Sequence, residues 1–305
     1  MTLAFCYYGD LVAAGTSSVG FDQDQGFFHW KDNMFRPFFV VLIGLFLSGC
    51  ALKFTDPKLS AKVTGPCRAT VDSNNDGKAD TVTSYGYDKA GRLVEKSYEN
   101  AGDGKLDAIT KISYDAKGAI VLQEMVDGAS GNKVGQISFH YDDGGLLVET
   151  VTDDPYDGQP DAQTIYKYDA GGSKVREIYY QKDEIPNGTL SIGYDRAGQP
   201  VSFQSDTNSD GEIDWIRTAS YDEQGNRERE ILQNVTGEIT QIVTYAYDSL
   251  GNRIGKSVDG GADGVIERET TYFVDEYGNT FGEKELLLQG ELIEEARTYY
   301  DYSCW

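Results

Sequence analysis

The sequence predicts an all-β repeat protein, and three observations carry that prediction. Aspartates recur every 26 or 27 residues from Asp88 to Asp301, each directly after a tyrosine except Asp275, which follows Phe273-Val274. A glycine follows three residues after each of the first eight aspartates. The segments between alternate apolar and polar residues with a period of two, as half-buried strands do. Composition agrees: glycine (35) and tyrosine (21) are abundant and proline (7) is scarce, which suits short strands joined by tight turns.

The repeat begins at residue 67, and what precedes it reads as an address. Residues 34–50 place one cation, Arg36, before an apolar run from Phe38 to Leu47, followed by small residues. This is the order of a secretory signal, and a run of that length is too short to cross a bilayer core of roughly 30 Å as a helix. Leu47-Ser48-Gly49-Cys50 resembles the bacterial lipobox, in which the cysteine is acylated and becomes the mature N-terminus. The resemblance assigns residues 34–49 to the signal peptide, Cys50 to lipidation, and the protein to the cell envelope. Ala51 after the cysteine points to the outer membrane in the enterobacterial sorting pattern. Residues 1–33 stand in front of a signal that belongs at a terminus, so translation is expected to start at Met34. Residues 50–66 read as a lipidated N-terminus and tether, and 67–305 as the repeat domain.

The turns follow from their chemistry. Asp at the first position of a β-turn accepts a hydrogen bond from the backbone two residues on, and Gly at the fourth supplies positive φ. The pairs are Asp88/Gly91, Asp115/Gly118, Asp142/Gly145, Asp169/Gly172, Asp195/Gly198, Asp222/Gly225, Asp248/Gly251 and Asp275/Gly278. The flanking strands make about eight antiparallel hairpins. Tyrosines at i and i+2, such as Tyr85/Tyr87 and Tyr166/Tyr168, share one face and are read as packing.

Tyr87-Asp88-Lys89-Ala90-Gly91-Arg92-Leu93, with Tyr221–Arg227 and Tyr247–Arg253, resembles the signature of the YD-repeat, or Rhs, family. The likeness covers residues 67–303. It implies an extended or spiralling sheet; a closed barrel or β-propeller is the alternative. No cargo region follows the ninth copy, so the family's toxin-delivery role is not carried over. Cys67 and Cys304 bracket the repeat, and a disulfide needs their Cα atoms within about 7 Å. An open sheet forbids that bridge and a ring permits it. The family resemblance favours the open sheet.

A second motif sits at the opposite hairpin ends. Asp72, Asn74, Asp76 and Asp80, and again Asp206, Asn208, Asp210 and Asp214, follow D-x-N-x-D-G-x-x-D. Oxygen ligands at positions 1, 3, 5 and 9 suit a hard cation such as Ca²⁺. Position 12 holds Thr83 and Arg217, so these are not EF-hands; they resemble the calcium loops of FG-GAP repeats. The loops at Asp153, Asp259 and Glu99 are degenerate versions, and the others keep only a turn glycine.

Several functions are excluded by composition. A net charge of −23 repels nucleic acid. The only histidine after Cys50 is His140, and no nucleophile or phosphate-binding motif occurs, so the chain reads as non-catalytic. The expectation is an envelope-anchored binding or surface-scaffold module of unknown protein or glycan ligand, its membrane contact made through lipid. A carbohydrate-binding or carbohydrate-active surface protein is the alternative.

Overall fold

The computed structural model describes residues 61–100, 103–182, 185–289 and 292–305. The signal peptide, Cys50, the upstream extension 1–33 and most of the tether lie outside the described residues.

The described chain is one antiparallel sheet of eighteen strands. A single strand, β1 (Arg68–Asp72), comes first. Eight turn-linked hairpins follow: β2 (Thr81–Tyr87) with β3 (Leu93–Asn100), β4 (Ala108–Tyr114) with β5 (Ile120–Asp127), β6 (Lys133–Tyr141) with β7 (Leu147–Asp153), and β8 (Ala162–Tyr168) with β9 (Lys174–Gln181). The second four are β10 (Pro186–Tyr194) with β11 (Pro200–Asp206), β12 (Trp215–Tyr221) with β13 (Arg227–Asn234), β14 (Ile239–Tyr247) with β15 (Arg253–Gly260), and β16 (Arg268–Val274) with β17 (Thr280–Gln289). β18 (Leu292–Asp301) ends the sheet.

Every strand pairs with its sequence neighbour, and β1 also pairs with β18, from Arg68↔Asp301 to Asp72↔Arg297. The sheet is therefore a closed barrel. This corrects the expectation of an open or spiralling sheet, and the closed alternative is the one observed. Closure removes both free edges, which an open sheet of this size leaves unpaired. The Cys67–Cys304 disulfide lies at the seam, with Cα atoms 5.7 Å apart. β18 and β1 thus form a ninth hairpin whose turn is replaced by a covalent bridge. Asp301 still begins the bend as the other aspartates do, accepting from the Ser303 N–H at 3.0 Å.

The eight Asp-x-x-Gly segments share one geometry. In each, the glycine N–H donates to the aspartate carbonyl at 2.9–3.1 Å. The aspartate Oδ1 also accepts from the backbone four residues on, as Asp222 does from Asn226 at 2.7 Å. A one-residue register shift follows each turn, as between Ser220 and Tyr221. Gly118, Gly145, Gly172 and Gly198 all take the left-handed backbone expected of them, with φ of 87°, 85°, 82° and 82°. All four are exposed. A Cβ would meet only Arg92 Nη1, at 3.7 Å, at Gly118 and nothing within 4 Å at the other three. Backbone conformation, not packing or contact with a ligand, therefore sets their place among the site residues.

Gly225 likewise has φ +85°, a conformation that clashes with a β-branched side chain. Gly225→Val is expected to cost on the order of 1–2 kcal/mol or more, and Gln224→Val much less. Denaturant melts of the two variants test this, and equal losses would count against the turn assignment.

In the first seven units the tyrosine before the turn aspartate stitches the hairpin to the chain that precedes it. The Tyr114 hydroxyl donates to the Leu93 carbonyl at 2.7 Å, and Tyr141 donates to Ile120 at 2.8 Å. Tyr87, Tyr168, Tyr194, Tyr221 and Tyr247 repeat the bond to a carbonyl 20 or 21 residues back. The reason is local: the β3–β4 ladder stops at Glu95↔Lys111, leaving Leu93 beyond it without a strand partner on that side. Val274 occupies this position in the β16–β17 hairpin and has no hydroxyl. A 260 Å³ cavity lies beside it, lined in part by Arg253, Tyr272 and Lys62. In the ninth unit the bond is made by Tyr302, to the Thr280 carbonyl at 2.6 Å, and not by Tyr300 of the repeated pair. Tyr141→Phe removes one such bond and is expected to cost about 1 kcal/mol, read as a lower denaturant midpoint. No change at all would mean the hydroxyl is not a clasp.

Candidate functional site

Strand alternation gives the barrel two unlike walls. Directly opposed residues share a face, so the registers carry the face of Tyr85 and Tyr87 continuously round the ring. That face includes Ile112, Phe203, Ala219 and Val243, all buried, and it is the inner wall. The opposite face exposes Ser84, Glu95, Lys111, His140, Lys167, Arg176, Gln204 and Thr244 at mid-strand. A membrane-spanning barrel turns an apolar band about 25 Å tall outward. Here charges occupy those positions, so the outer wall is built for water. No helix among the described residues is long and apolar enough to cross a membrane.

The inner wall carries charge among its aromatics. Eight residues beyond the turn aspartates Asp169, Asp222 and Asp275 come Glu177, Glu230 and Glu283, 53 residues apart. Tyr179 donates to Glu177 at 2.6 Å and Tyr300 to Glu283 at 2.9 Å. Glu230 pairs with Arg227 and accepts from Tyr245 at 3.3 Å. Burial, with the Glu230 charge after it, pushes the Tyr245 hydroxyl up to about 12. Burial first and the neighbouring carboxylate next also raise Tyr179 and Tyr300. Arg217 lies over Phe203 at 4.9 Å, and Arg253 over Tyr272 at 5.0 Å. The inner wall is closed over by its own side chains: Phe203, Glu230, Val243 and Thr270 are all buried. The inward glutamates went unnoticed in the sequence, although their fixed offset from the turn aspartates was there to be read.

The two rims also differ. The Asp-x-x-Gly turns make one rim, and the segment before β1 lies against it. Val63 donates to Asn279 Oδ1 at 2.9 Å, the Asn279 amide donates to the Ala61 carbonyl at 3.1 Å, and Trp305 donates to the Gly65 carbonyl at 2.7 Å. The end of the expected tether is therefore docked. The turn aspartates Asp88 and Asp222 are held below the usual carboxylate range by the hydrogen bonds they accept, Asp88 chiefly from the Arg92 backbone and Asp222 from the Asn226 side chain.

The opposite rim carries all five acidic loops, and they share a scaffold. The position-1 carboxylate reaches over the loop to the amide at position 6: Asp72 to Gly77 at 2.9 Å, Asp153 to Gly158 at 3.1 Å, Asp206 to Gly211 at 3.0 Å, Asp259 to Gly264 at 3.1 Å, and Glu99 to Gly104 at 2.8 Å. Position 5 accepts from the amide at position 7, as Asp76 does from Lys78 and Asp210 from Glu212. Position 9 accepts from position 2, Asp80 from Ser73 at 2.7 Å and Asp214 from Thr207 at 2.6 Å. Asn75 and Ser209 at position 4 both take left-handed backbone, φ 54° and 58°. Asp72 has no exposed surface and Asp206 only 6%.

The loops at Asp72 and Asp206 carry carboxylate and amide side chains at positions 1, 3, 5 and 9 round one bend, but among the described residues the three-carboxylate cluster with converging oxygens is in the degenerate Asp259 loop. In the degenerate third loop Lys182 occupies Asp161 Oδ1 at 2.7 Å, a cation the chain itself supplies. Asp259, Asp263 and Glu267 each offer an oxygen within 4.8 Å of the others. His140 faces outward, 3.9 Å from Glu149.

A ring of nine hairpins, bridged at its seam and carrying acidic loops on one rim, defines the class: a closed β-repeat barrel. No protein-family model matches the chain, and no curated protein matches its sequence. Among solved structures the chain is similar to a porin-like protein from Bacteroides uniformis, at 13% identity and TM-score 0.43 over 79% of this chain and 99% of that one. It is similar to a second porin-like protein, from Bacteroides vulgatus, at 11% identity and TM-score 0.31 over 78% and 98%. It is also similar to the TcdB2-TccC3-Cdc42 complex, at 13% identity and TM-score 0.36 over 73% of this chain. It spans only 14% of that toxin chain.

Proposed function

We propose that this protein is a lipid-anchored component of the cell envelope, and that its barrel is a non-catalytic binding or surface-scaffold module of the YD-repeat type. The carrying observation is the charged outer wall. A barrel with Glu95, Lys111, Lys167 and Arg176 facing outward at mid-strand is supported by water, so its attachment to a membrane falls to the lipobox cysteine, Cys50. The docked residues Ala61 and Val63 bring the chain in at the turn rim, which leaves the acidic rim facing away from the anchor. There the Asp72 and Asp206 loops hold structural Ca²⁺, stiffening the hairpin ends that a partner would meet. The outer membrane is the destination that Ala51 favours.

The test is Cys50→Ala. It is expected to abolish labelling by a fatty acid and to move the protein from the detergent phase to the aqueous phase. Unchanged membrane retention, with the wild-type N-terminus intact upstream of Cys50, would defeat the proposal.

A second reading is supported by the inner wall. Tyr85, Tyr166, Tyr245 and Tyr272 stand beside Lys96, Glu177, Lys256 and Glu283 in register. Aromatic faces with adjacent charges suit a carbohydrate. Binding on a glycan array without turnover would favour this reading, and loss of binding in Tyr245→Ala would place it on the inner wall.

A further inference from the structure

Among the sister loops, the one at Asp206 leaves its position-1 carboxylate less satisfied. Asp72, Asp153 and Asp259 each use Oδ1 to accept the amide of position 5, at 3.0–3.1 Å. The Asp210 amide donates to Asn208 Oδ1 at 3.0 Å, as the Asp76 amide also does to Asn74 at 2.9 Å, but it makes no bond to Asp206 Oδ1. Asp206 Oδ1 is left buried without a partner. The Ser209 hydroxyl in the same loop is also buried and unpartnered, and so is the side-chain oxygen of Asn187.

Asn187 belongs to the neighbouring hairpin end, and two facts place it at this loop. β10 and β11 pair with Thr189 opposite Asp206. Asn187, two residues before Thr189, is the extra residue of a bulge in β10, between Pro186 and Gly188. Gly188 next to it packs closely: a Cβ there would meet the Asp206 and Thr207 carbonyl oxygens at 3.4 Å. An uncompensated buried oxygen costs about 1–3 kcal/mol, and three at adjoining hairpin ends are not retained without a positive partner. The partner that satisfies oxygens alone is a hard cation.

We infer that Asn187 is a ligand of the divalent cation at the Asp206 loop, so that this site spans two hairpins and staples β9–β10 to β11–β12. The inference rests on the cation reading of the loops and adds a ligand that the loop motif does not contain. It also ranks the sites: the Asp206 loop, with a free carboxylate oxygen and an amide oxygen from next door, binds more tightly than the Asp72 loop.

Terbium luminescence in the full chain, purified in detergent, tests this, because Trp215 adjoins Asp214 and sensitises a lanthanide bound there. The wild type is expected to give saturable Tb³⁺ emission that Ca²⁺ displaces and that Trp215→Phe removes. Asn187→Ala should weaken Tb³⁺ binding about tenfold or more, while Asp76→Ala in the other loop leaves the midpoint in place. Asn187→Asp adds charge to the donor set and should tighten binding while lowering the melting temperature in chelator; a packing role would lower stability under both conditions and leave binding alone. If Asn187→Ala does not fold, the Asp variant decides. Wild-type midpoints in both Asn187 variants, with emission lost in Asp210→Ala, overturn the two-hairpin site and leave the loop reading standing. No sensitised emission together with no calcium effect on melting overturns both.

Discussion

Cys304→Ser is expected to melt well below the wild type. The bridge joins residues 237 apart, and in the chain-entropy account a closed loop of that length removes about 5 kcal/mol of unfolded-state freedom. For a domain of this size, 1 kcal/mol shifts the melting temperature by roughly 2–4 °C, so the loss is about 10–20 °C. The effect should be large because the seam ladder is short: the five residues of β1 pair with only half of the ten of β18. Non-reducing mass spectrometry of a digest should recover one peptide containing Cys67 and Cys304 from the monomer. Two free thiols and an unchanged melt would show that the ring closes without the bridge.

The second large effect is expected from calcium. A ligand that binds only the folded state adds RT ln(1 + [L]/Kd), about 2.7 kcal/mol per site at a hundredfold excess. The two complete loops together then add about 5 kcal/mol. Asp76→Ala with Asp210→Ala should remove most of the difference between calcium and chelator. The difference is the proper readout, because both carboxylates also accept backbone amides without any metal and their loss lowers stability in chelator too. A melt that ignores calcium in the wild type would leave the acidic loops as turns and nothing more.

The strands and turns were legible because their causes are local. Asp222 and Gly225 specify a turn within four residues, and the alternation of Thr244-Tyr245-Ala246-Tyr247 specifies a strand whatever surrounds it. Closure was not legible, since no residue of β1 announces that it will meet β18; that choice depends on twist accumulated over the whole sheet. The cysteines at the two ends posed the question without answering it. The ninth copy differs from the rest for a related reason. Asp301 keeps the period, but β17 and β18 run to ten residues each, and the hydroxyl that reaches Thr280 is that of Tyr302. Asn187 was invisible as a site residue, because its own loop keeps only a turn glycine. What recruits it is the bulge in β10 beside the Asp206 loop.

The ninth hairpin, with a bridge where the others have a peptide turn, also fixes the order of assembly. Each of the other hairpins joins residues close in sequence and can form early. The seam alone must wait for the last strand and for an oxidant. Until then the molecule is a strip with two bare margins, β1 at one side and β18 at the other. Those margins are complementary to each other, and therefore to the margins of any second strip nearby. A chain held reduced, or crowded while it folds, is expected to join end to end into larger rings and polymers, and timely oxidation at Cys67 and Cys304 keeps each copy to itself.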